Sequence, residues 1–159
     1  IAQCLVGSEM CIRDRFTETV ELELNELLKQ YLDDYKEVYA YREIQTEVVE
    51  KGVFRVQMNE SLATILITNL LKNAFVHNVD GGHIRIEITS HRFTFCNSGV
   101  EHSLDSTHIF ERFYQGTKKE GSTGLGLAIV DSICRLQNIG LKYYFQNGEH
   151  CFEISEEQI

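Results

Sequence analysis

Two groups of residues in this sequence have the types and spacing to bind a phosphorylated ligand. The first is a turn in which Gly121, Gly124 and Gly126 lead into an apolar run with helical spacing. Glycine lets a ligand approach the backbone closely, and the first N–H groups of a helix favour anions. The turn therefore indicates a phosphate site, although a plain loop before a core helix has the same pattern. It lacks the Gly-Lys-Ser/Thr of a Walker loop and the preceding strand of a dinucleotide-binding fold.

The second group is a polar face on an otherwise apolar helical segment. Asn69, Asn73 and His77 are four residues apart, so they share one side of a helix. Asparagine is a mediocre helix former, and Mg²⁺ prefers oxygen ligands while keeping several waters. The face indicates a site for hydrated Mg²⁺ and phosphates; a structural network of amides is the alternative. His77 by itself is more typical of a structural residue.

The composition is typical of a single globular domain. The chain has 159 residues, of which 43% are hydrophobic, enough for one core. The net charge of -9 argues against nucleic acid or an anionic membrane as the main partner. No apolar run approaches the ~20 residues that span a bilayer. The five cysteines form no Cys-x-x-Cys motif, which favours reduced thiols in a cytosolic compartment.

Apolar periodicity and turn residues predict an α+β two-layer sandwich, because strands and helices mix and hairpins dominate. Asn25 and Asn59 are predicted N-caps, and Asn147-Gly148 predicts a hairpin turn. Little periodicity follows from 97 to 122, a length typical of a functional lid. We expect strands at 19–24, 44–49, 54–58, 83–89, 92–96, 141–146 and 151–155, and helices at 25–39, 60–78 and 124–137.

The first fifteen residues have no periodicity that continues into the rest of the chain. They resemble the translation of a sequencing adapter, and a genuine upstream segment is the alternative. We therefore exclude residues 1–15 from the fold and assign residues 16–159 to one domain, truncated at its N-terminal side.

Three segments, in order, resemble motifs of sensor histidine kinases. NLLKNA at 69–74 is similar to the N box, IFERFY at 109–114 to the F box, and GSTGLGLAIV at 121–130 to the G2 box. The resemblance runs from Val20 to the C-terminal hairpin. It implies the ATP-binding fold shared with gyrase B, heat-shock chaperone ATPases and mismatch-repair ATPases. That fold has a mixed, mainly antiparallel sheet, helices on one face and a mobile ATP lid.

The resemblance also implies roles for individual residues. Asn73 would bind Mg²⁺ and, with Asn69 near the phosphates, form the catalytic pair. The G2 glycines would hold the triphosphate, and the F-box aromatics would pack the lid. The implied ATP-binding residues are Asn69, Asn73, His77, Asn97, Gly99, Phe110, Phe113, Lys118, Gly121, Thr123, Gly124, Leu125 and Gly126.

The chain departs from the family pattern at three positions. The G1 box, Asp-x-Gly-x-Gly, is NSGVE at 97–101, so Asn97 replaces the adenine-reading Asp and Glu101 replaces a glycine. An amide can pair with adenine or with guanine unless a neighbour fixes it. Val76 stands where a phosphate-binding Lys is common; Lys118, Lys119 or Arg112 could supply that charge.

The predicted activity is phosphoryl transfer without hydrolysis. The hydrolases of the superfamily place a Glu general base where this chain has the amide Asn69. None of the six histidines has the acidic neighbour and downstream proline of an acceptor motif, since the chain has no proline. We expect the acceptor histidine and the dimerising helices upstream of Phe16.

The sequence therefore predicts the C-terminal catalytic fragment of a sensor histidine kinase. It would use ATP and Mg²⁺ and work with its own upstream dimerisation domain and a response regulator. It would be cytoplasmic with no membrane contact of its own, whether or not the parent protein is a membrane-anchored sensor. The alternatives are a regulatory ATP-binding module (a pseudokinase) and an anti-sigma-factor-type protein kinase.

Overall fold

The computed structural model describes residues 18–111 and 125–156 of the chain. Within these two ranges lie seven strands, three α-helices and one short 3₁₀ helix. In chain order they are β1 Val20–Glu23, α1 Leu24–Val38, the 3₁₀ helix Ala40–Arg42, β2 Gln45–Glu50, β3 Arg55–Met58, α2 Glu60–Val76, β4 His83–Ile88, β5 Arg92–Asn97, α3 Gly126–Leu136, β6 Ile139–Gln146 and β7 Glu149–Glu156.

The larger sheet has five strands in the order β2-β4-β5-β7-β6. Strand β2 runs parallel to β4, and every other neighbouring pair is antiparallel. Strands β1 and β3 form a separate antiparallel pair. This mixed, mainly antiparallel architecture confirms the predicted α+β fold.

Period-two alternation decides which face of the large sheet is buried. Alternate residues of β4, β5 and β7 are almost fully buried and form one core with apolar residues of all three helices, while their neighbours in sequence are polar except for Cys96 and Cys151. The result is a two-layer sandwich with helices on one face. The core positions of the three strands are Ile84, Ile86, Ile88, Phe93, Phe95, Phe152 and Ile154.

Helix α2 crosses this core with an apolar side facing the sheet. Asn59 caps it by accepting a 3.1 Å hydrogen bond from the Leu62 amide, as predicted. Leu62, Leu66 and Leu70 are buried on the sheet side. None of the described helices is long and apolar enough to cross a bilayer.

Both predicted hairpins are present. Strands β4 and β5 pair antiparallel, as do β6 and β7. At the β6–β7 turn, Asn147 and Gly148 both have positive φ, 54° and 76°. Two consecutive positive φ values match the right-handed twist of the flanking strands, so this turn was readable from two residues.

One local expectation is wrong. Asn25 does not cap α1, because Glu23 occupies the N-cap position and Asn25 is a buried helical residue. Its amide instead accepts from the Phe54 N–H and donates to Gly52 and Glu50. The strands on either side of Lys51-Gly52 belong to different sheets: β2 joins the large sheet and β3 pairs with β1.

The expectation of reduced thiols is wrong for one pair of cysteines. Cys96 on β5 lies directly opposite Cys151 on β7, and a disulfide joins them. The cysteines are 55 residues apart in sequence, with Cα atoms 4.1 Å apart. Strand register, which the sequence spacing does not reveal, brings them together. Cys134 is free and buried, and burial raises its pKa to about 12.

Candidate functional site

The polar face of α2 presents two amides one turn apart. Asn69 donates from Nδ2 to the Ile65 carbonyl at 2.8 Å, so its Oδ1 points away from the helix backbone. Asn73 is half-buried, and its side chain has no hydrogen-bond partner among the residues that the structure describes. The face therefore offers two amide oxygens on a helix that the core holds rigidly.

The first residue of α3, Gly126, lies close to the polar face of α2. A Cβ added to Gly126 would lie 3.1 Å from Oδ1 of Asn69, closer than most side chains tolerate. Gly126 is also the first residue of α3, where backbone N–H groups lack helical partners. The first turn of α3 thus meets the amide oxygen of α2 through a position that only glycine fits comfortably.

Asn97 is the last residue of β5 and lies on the core side of the sheet. Only one of the two polar atoms of its side-chain amide has a hydrogen-bond partner in the described residues. Nδ2 donates to the Ser98 carbonyl at 2.8 Å. Oδ1 is buried and is the one buried side-chain polar atom without a partner in the described residues. Since a carbonyl can only accept, the NH₂ end must face Ser98 and the oxygen must face away. The amide therefore presents an acceptor, as an aspartate would.

Ser98 is itself fixed by a fully bonded asparagine. Asn78 is 0% exposed, and it donates to the carbonyls of Ala74 and His83 while accepting from the Val79 amide and the Ser98 hydroxyl. These four bonds join the end of α2 to β4 and to the loop after β5. The orientation of the Asn97 amide therefore depends on a rigid neighbour.

Arg42 holds the same end of α2 from the opposite side. Its guanidinium donates to the carbonyls of Phe75, Val76 and Asn78, and it pairs with Asp80 at 2.8 Å. Phe75 and Val76 end α2, where carbonyls lack helical N–H partners, and a cation suits the negative end of the helix dipole. Arg42 and Asn78 together position the helix that carries Asn69 and Asn73.

Gly99 lies between α2 and the sheet. A Cβ added there would be 2.9 Å from the backbone oxygen of His77 and 3.0 Å from Cδ2 of His150. His77 is the C-cap residue of α2 and is half-buried. His150 lies opposite Asn97 in the β5–β7 register. The structure thus brings His77, Asn97 and Gly99 to one end of the core.

Other predicted site residues lie at the edges of this region or outside the described residues. Phe110 packs edge-on against Phe152 at 6.2 Å between ring centroids, beside the buried Ile109. Leu125 is half-buried at the N-cap of α3. Val76, the replacement for a lysine, is buried. The remaining predicted residues, Arg112, Phe113, Lys118, Lys119, Gly121, Thr123 and Gly124, lie outside the described residues.

The geometry provides acceptors and close backbone approach. Asn69, Asn73 and Asn97 supply neutral oxygens, and the first turn of α3, which begins at Gly126, supplies N–H groups without helical partners. A model of the family "Histidine kinase-, DNA gyrase B-, and HSP90-like ATPase" matches residues 58–156, more than half of the chain. The chain belongs to this ATPase family.

The curated relatives of this ATPase chain are sensor proteins. It is 33% identical over 121 residues to the sensor histidine kinase RppB of Synechocystis sp., covering 69% of this chain and 26% of that protein. It is 30% identical over 146 residues to the heme sensor protein HssS of Staphylococcus epidermidis, covering 86% of this chain and 31% of that protein. The chain therefore spans about a quarter to a third of these relatives.

The fold agrees with a solved histidine kinase domain. The catalytic domain of the histidine kinase ThkA superposes with a TM-score of 0.77 at 22% identity, covering 89% of this chain and 96% of that one. At this identity the likeness shows the fold alone. The predicted resemblance to histidine kinases is confirmed at the level of the family.

Arg42, Asn78 and His150 also shape the site and were not predicted from the sequence. Asn78 had a weak signal as a third asparagine just beyond the N box, but it fell inside the predicted helix 60–78. Arg42 and His150 act through contacts with residues distant in sequence, so no local pattern marked them.

Proposed function

We propose that this ATPase-family chain binds Mg²⁺-ATP and transfers the γ-phosphoryl group to a histidine on a dimerisation domain outside these 159 residues. The observation that carries the proposal is the buried, unpaired Oδ1 of Asn97. An unsatisfied buried acceptor costs about 1–3 kcal/mol. The exocyclic amino group of adenine is a donor that would satisfy it, whereas the guanine carbonyl at the same position would be repelled.

The phosphate end of the nucleotide would lie along α2 and the start of α3. The N–H groups at the first turn of α3 suit an anion, and Gly126, the first residue of α3, lies beside Oδ1 of Asn69. Asn73 offers an amide oxygen, the ligand type that Mg²⁺ takes in small numbers alongside water. When bound, Mg²⁺ would neutralise charge on the phosphate oxygens.

Two features favour transfer over hydrolysis. Asn69 occupies the position of the hydrolase base, and an amide cannot accept a proton near neutral pH. Its Nδ2 is also engaged by the Ile65 carbonyl, which fixes the side chain in one orientation. Bound ATP would therefore persist until an acceptor group arrives, and catalysis would rest on positioning and charge stabilisation.

The acceptor and the downstream partner belong to other polypeptide segments. The histidines of the chain lack the acceptor motif, and the matched relatives are about three times as long as this chain. ThkA has been solved in complex with the response regulator protein TrrA. By analogy, we propose an upstream dimerisation domain and a response regulator as the partners of this chain.

Calorimetry and phosphoryl transfer test the proposal separately. Purified chain should bind Mg²⁺-ATP, and Asn73→Asp should change the Mg²⁺ dependence of binding while Asn147→Asp, the same change on an exposed turn, should not. Labelled ATP should give no label on the chain alone and label on an added dimerisation domain from the parent protein. Absence of ATP binding would refute the site. Binding without transfer would identify a regulatory ATP-binding module instead.

A further inference from the structure

A tyrosine and a histidine on the last hairpin hold the loop that follows Asn97. Tyr143 on β6 and His150 on β7 are within hydrogen-bond distance, with the hydroxyl 2.7 Å from Nδ1. His150 Nε2 lies 2.7 Å from the Val100 carbonyl, and the Leu104 amide donates to the Tyr143 hydroxyl at 3.0 Å. Both ends of the 100–104 segment are therefore tied to the same two side chains.

The partners fix the direction of every bond in this chain. The Val100 carbonyl can only accept, so Nε2 carries the proton. In a neutral imidazole Nδ1 is then an acceptor, and the Tyr143 hydroxyl must donate to it. The hydroxyl oxygen remains free to accept from the Leu104 N–H. All polar atoms of the network are satisfied only while His150 is neutral.

This network touches the candidate nucleotide site directly. His150 is 4% exposed and lies opposite Asn97 across β5 and β7. Its ring lies so close to Gly99 that a Cβ there would be 3.0 Å from Cδ2. Tyr143 stacks on the imidazole at 6.0 Å, and Phe145 packs against it at 4.8 Å. Any shift of the imidazole would therefore move the backbone beside Asn97.

We propose that Tyr143 and His150 are positioning residues that preset the 98–104 loop for nucleotide binding, an inference that rests on the proposed ATP site. A loop already held in place loses less conformational freedom when a ligand binds. Without the network, part of the binding free energy would be used to order the loop. Tyr143 and His150 contribute this ordering without contacting the transferred phosphoryl group.

The network also makes the loop sensitive to pH. Burial lowers the pKa of His150, and the nearby His102 acts in the same direction, while the bond to Val100 acts against them. Tyr143 from β6 and His102 from the loop are the titratable groups beside the imidazole; Asn97 and Phe145 are uncharged. A protonated Nδ1 would compete with the Leu104 N–H as a donor to the Tyr143 hydroxyl oxygen. The hydrogen bond between Leu104 and Tyr143 would therefore weaken.

The test compares Tyr143→Phe with the same substitution at the next residue, Tyr144→Phe. The Tyr144 hydroxyl donates to Glu153, on the face of the sheet that no described helix covers. In chain without nucleotide, Tyr143→Phe should speed amide exchange at Leu104, and Tyr144→Phe should not. Loss of one neutral hydrogen bond should also raise the ATP dissociation constant about two- to tenfold. Unchanged exchange at Leu104 and unchanged ATP affinity would overturn the proposal.

A second variant separates positioning from simple stability. His150→Gln keeps a donor toward Val100 but cannot titrate. The ratio of its ATP dissociation constant to that of the unmodified chain, measured at each pH, should fall as pH drops below neutral, because only the unmodified chain loses the network. Comparison at equal pH cancels the protonation of ATP itself. A ratio independent of pH would overturn the proposal. Failure of the unmodified chain to bind ATP at any pH would instead refute the proposed function.

Discussion

The carbonyl oxygen of Ser98 accepts a 2.8 Å hydrogen bond from Nδ2 of Asn97, and this bond decides which end of the amide is left for a ligand. From the sequence, the amide could have turned either way and paired with adenine or guanine. Ser98 is held by Asn78 and by the His83 amide, so the carbonyl cannot easily move aside. The neighbour that fixes the amide is thus the next residue in the chain.

We therefore predict that Asn97→Asp leaves the ratio of GTP to ATP dissociation constants nearly unchanged. Asn97 already presents an acceptor, so a carboxylate adds little discrimination. The substitution should instead lower the melting temperature, because a carboxylate oxygen would face the Ser98 carbonyl in place of a donor, at a cost of about 1–3 kcal/mol. Calorimetry with both nucleotides and thermal unfolding measure the two effects.

Asn97→Ala is the matched control for this prediction. It removes the acceptor as well as the donor, so the ATP dissociation constant should rise by roughly tenfold. A GTP to ATP ratio that rises clearly in Asn97→Asp would show that the amide is free to rotate after all.

The sequence predicted those parts of the fold that depend on neighbouring residues. Asn147 and Gly148 determine their turn because both residues adopt positive φ. Asn59 caps α2 through a hydrogen bond with Leu62, only three residues further along the chain. The errors concern longer distances. Asn25 bonds to residues 25–29 positions away, and Cys96 meets Cys151 across a separation of 55 residues. Local pattern cannot specify either outcome.

The same division holds for the candidate site. Asn69 and Asn73 were found because their spacing follows the helical repeat, and Asn97 because the G1 box resembles a known motif. Tyr143 and His150 were missed because their partners, Leu104 and Val100, are 39 and 50 residues away. Hydrogen bonds across such separations depend on strand register, which the sequence does not display.

A second prediction concerns the close approach between α2 and α3. Gly126→Ala should raise the ATP dissociation constant about fivefold, because the new Cβ would be 3.1 Å from Oδ1 of Asn69 and would displace it. Helix stability should not fall, since alanine is the better helix former. Calorimetry and thermal unfolding of the same preparation give both quantities.

The control for Gly126→Ala is a double-mutant cycle with Asn69→Ala. Once the Asn69 amide is gone, Gly126→Ala should have almost no further effect on ATP affinity, because neighbouring residues in contact are not additive. An equal effect in both backgrounds would mean that Gly126 acts on the ligand without Asn69.

A third prediction concerns the disulfide between β5 and β7. It closes a separation of 55 residues, and the chain-entropy argument gives about 4 kcal/mol for such a loop. Treatment with dithiothreitol should therefore lower the melting temperature on the order of 10 °C. The double variant Cys96→Ala, Cys151→Ala should not respond to the reductant. Alkylation of Cys96 and Cys151 in denatured, unreduced chain would contradict the prediction.

The fourth prediction is an acid-dependent loss of stability that originates at His150. Its pKa is lowered from the ordinary value of 6.5, chiefly by burial. As pH falls below about 6.5, His150 is protonated in the unfolded chain before it is protonated in the folded chain. The free energy of unfolding therefore decreases. The stabilisation is complete above pH 6.5 and is lost progressively toward the lower pKa of the folded state. Melting temperatures between pH 8 and pH 5 should show the decline.

His150→Gln should flatten that decline, since glutamine does not titrate, even though its melting temperature at pH 8 is lower. His91→Gln is the matched control: this imidazole is exposed and pairs with Glu156 at the surface, where ion pairs contribute little. Its pH profile should therefore follow that of the unmodified chain. If His91→Gln flattens the dependence of the melting temperature on pH and His150→Gln does not, the acid sensitivity originates at the exposed His91. The Tyr143–His150 network would then tolerate protonation.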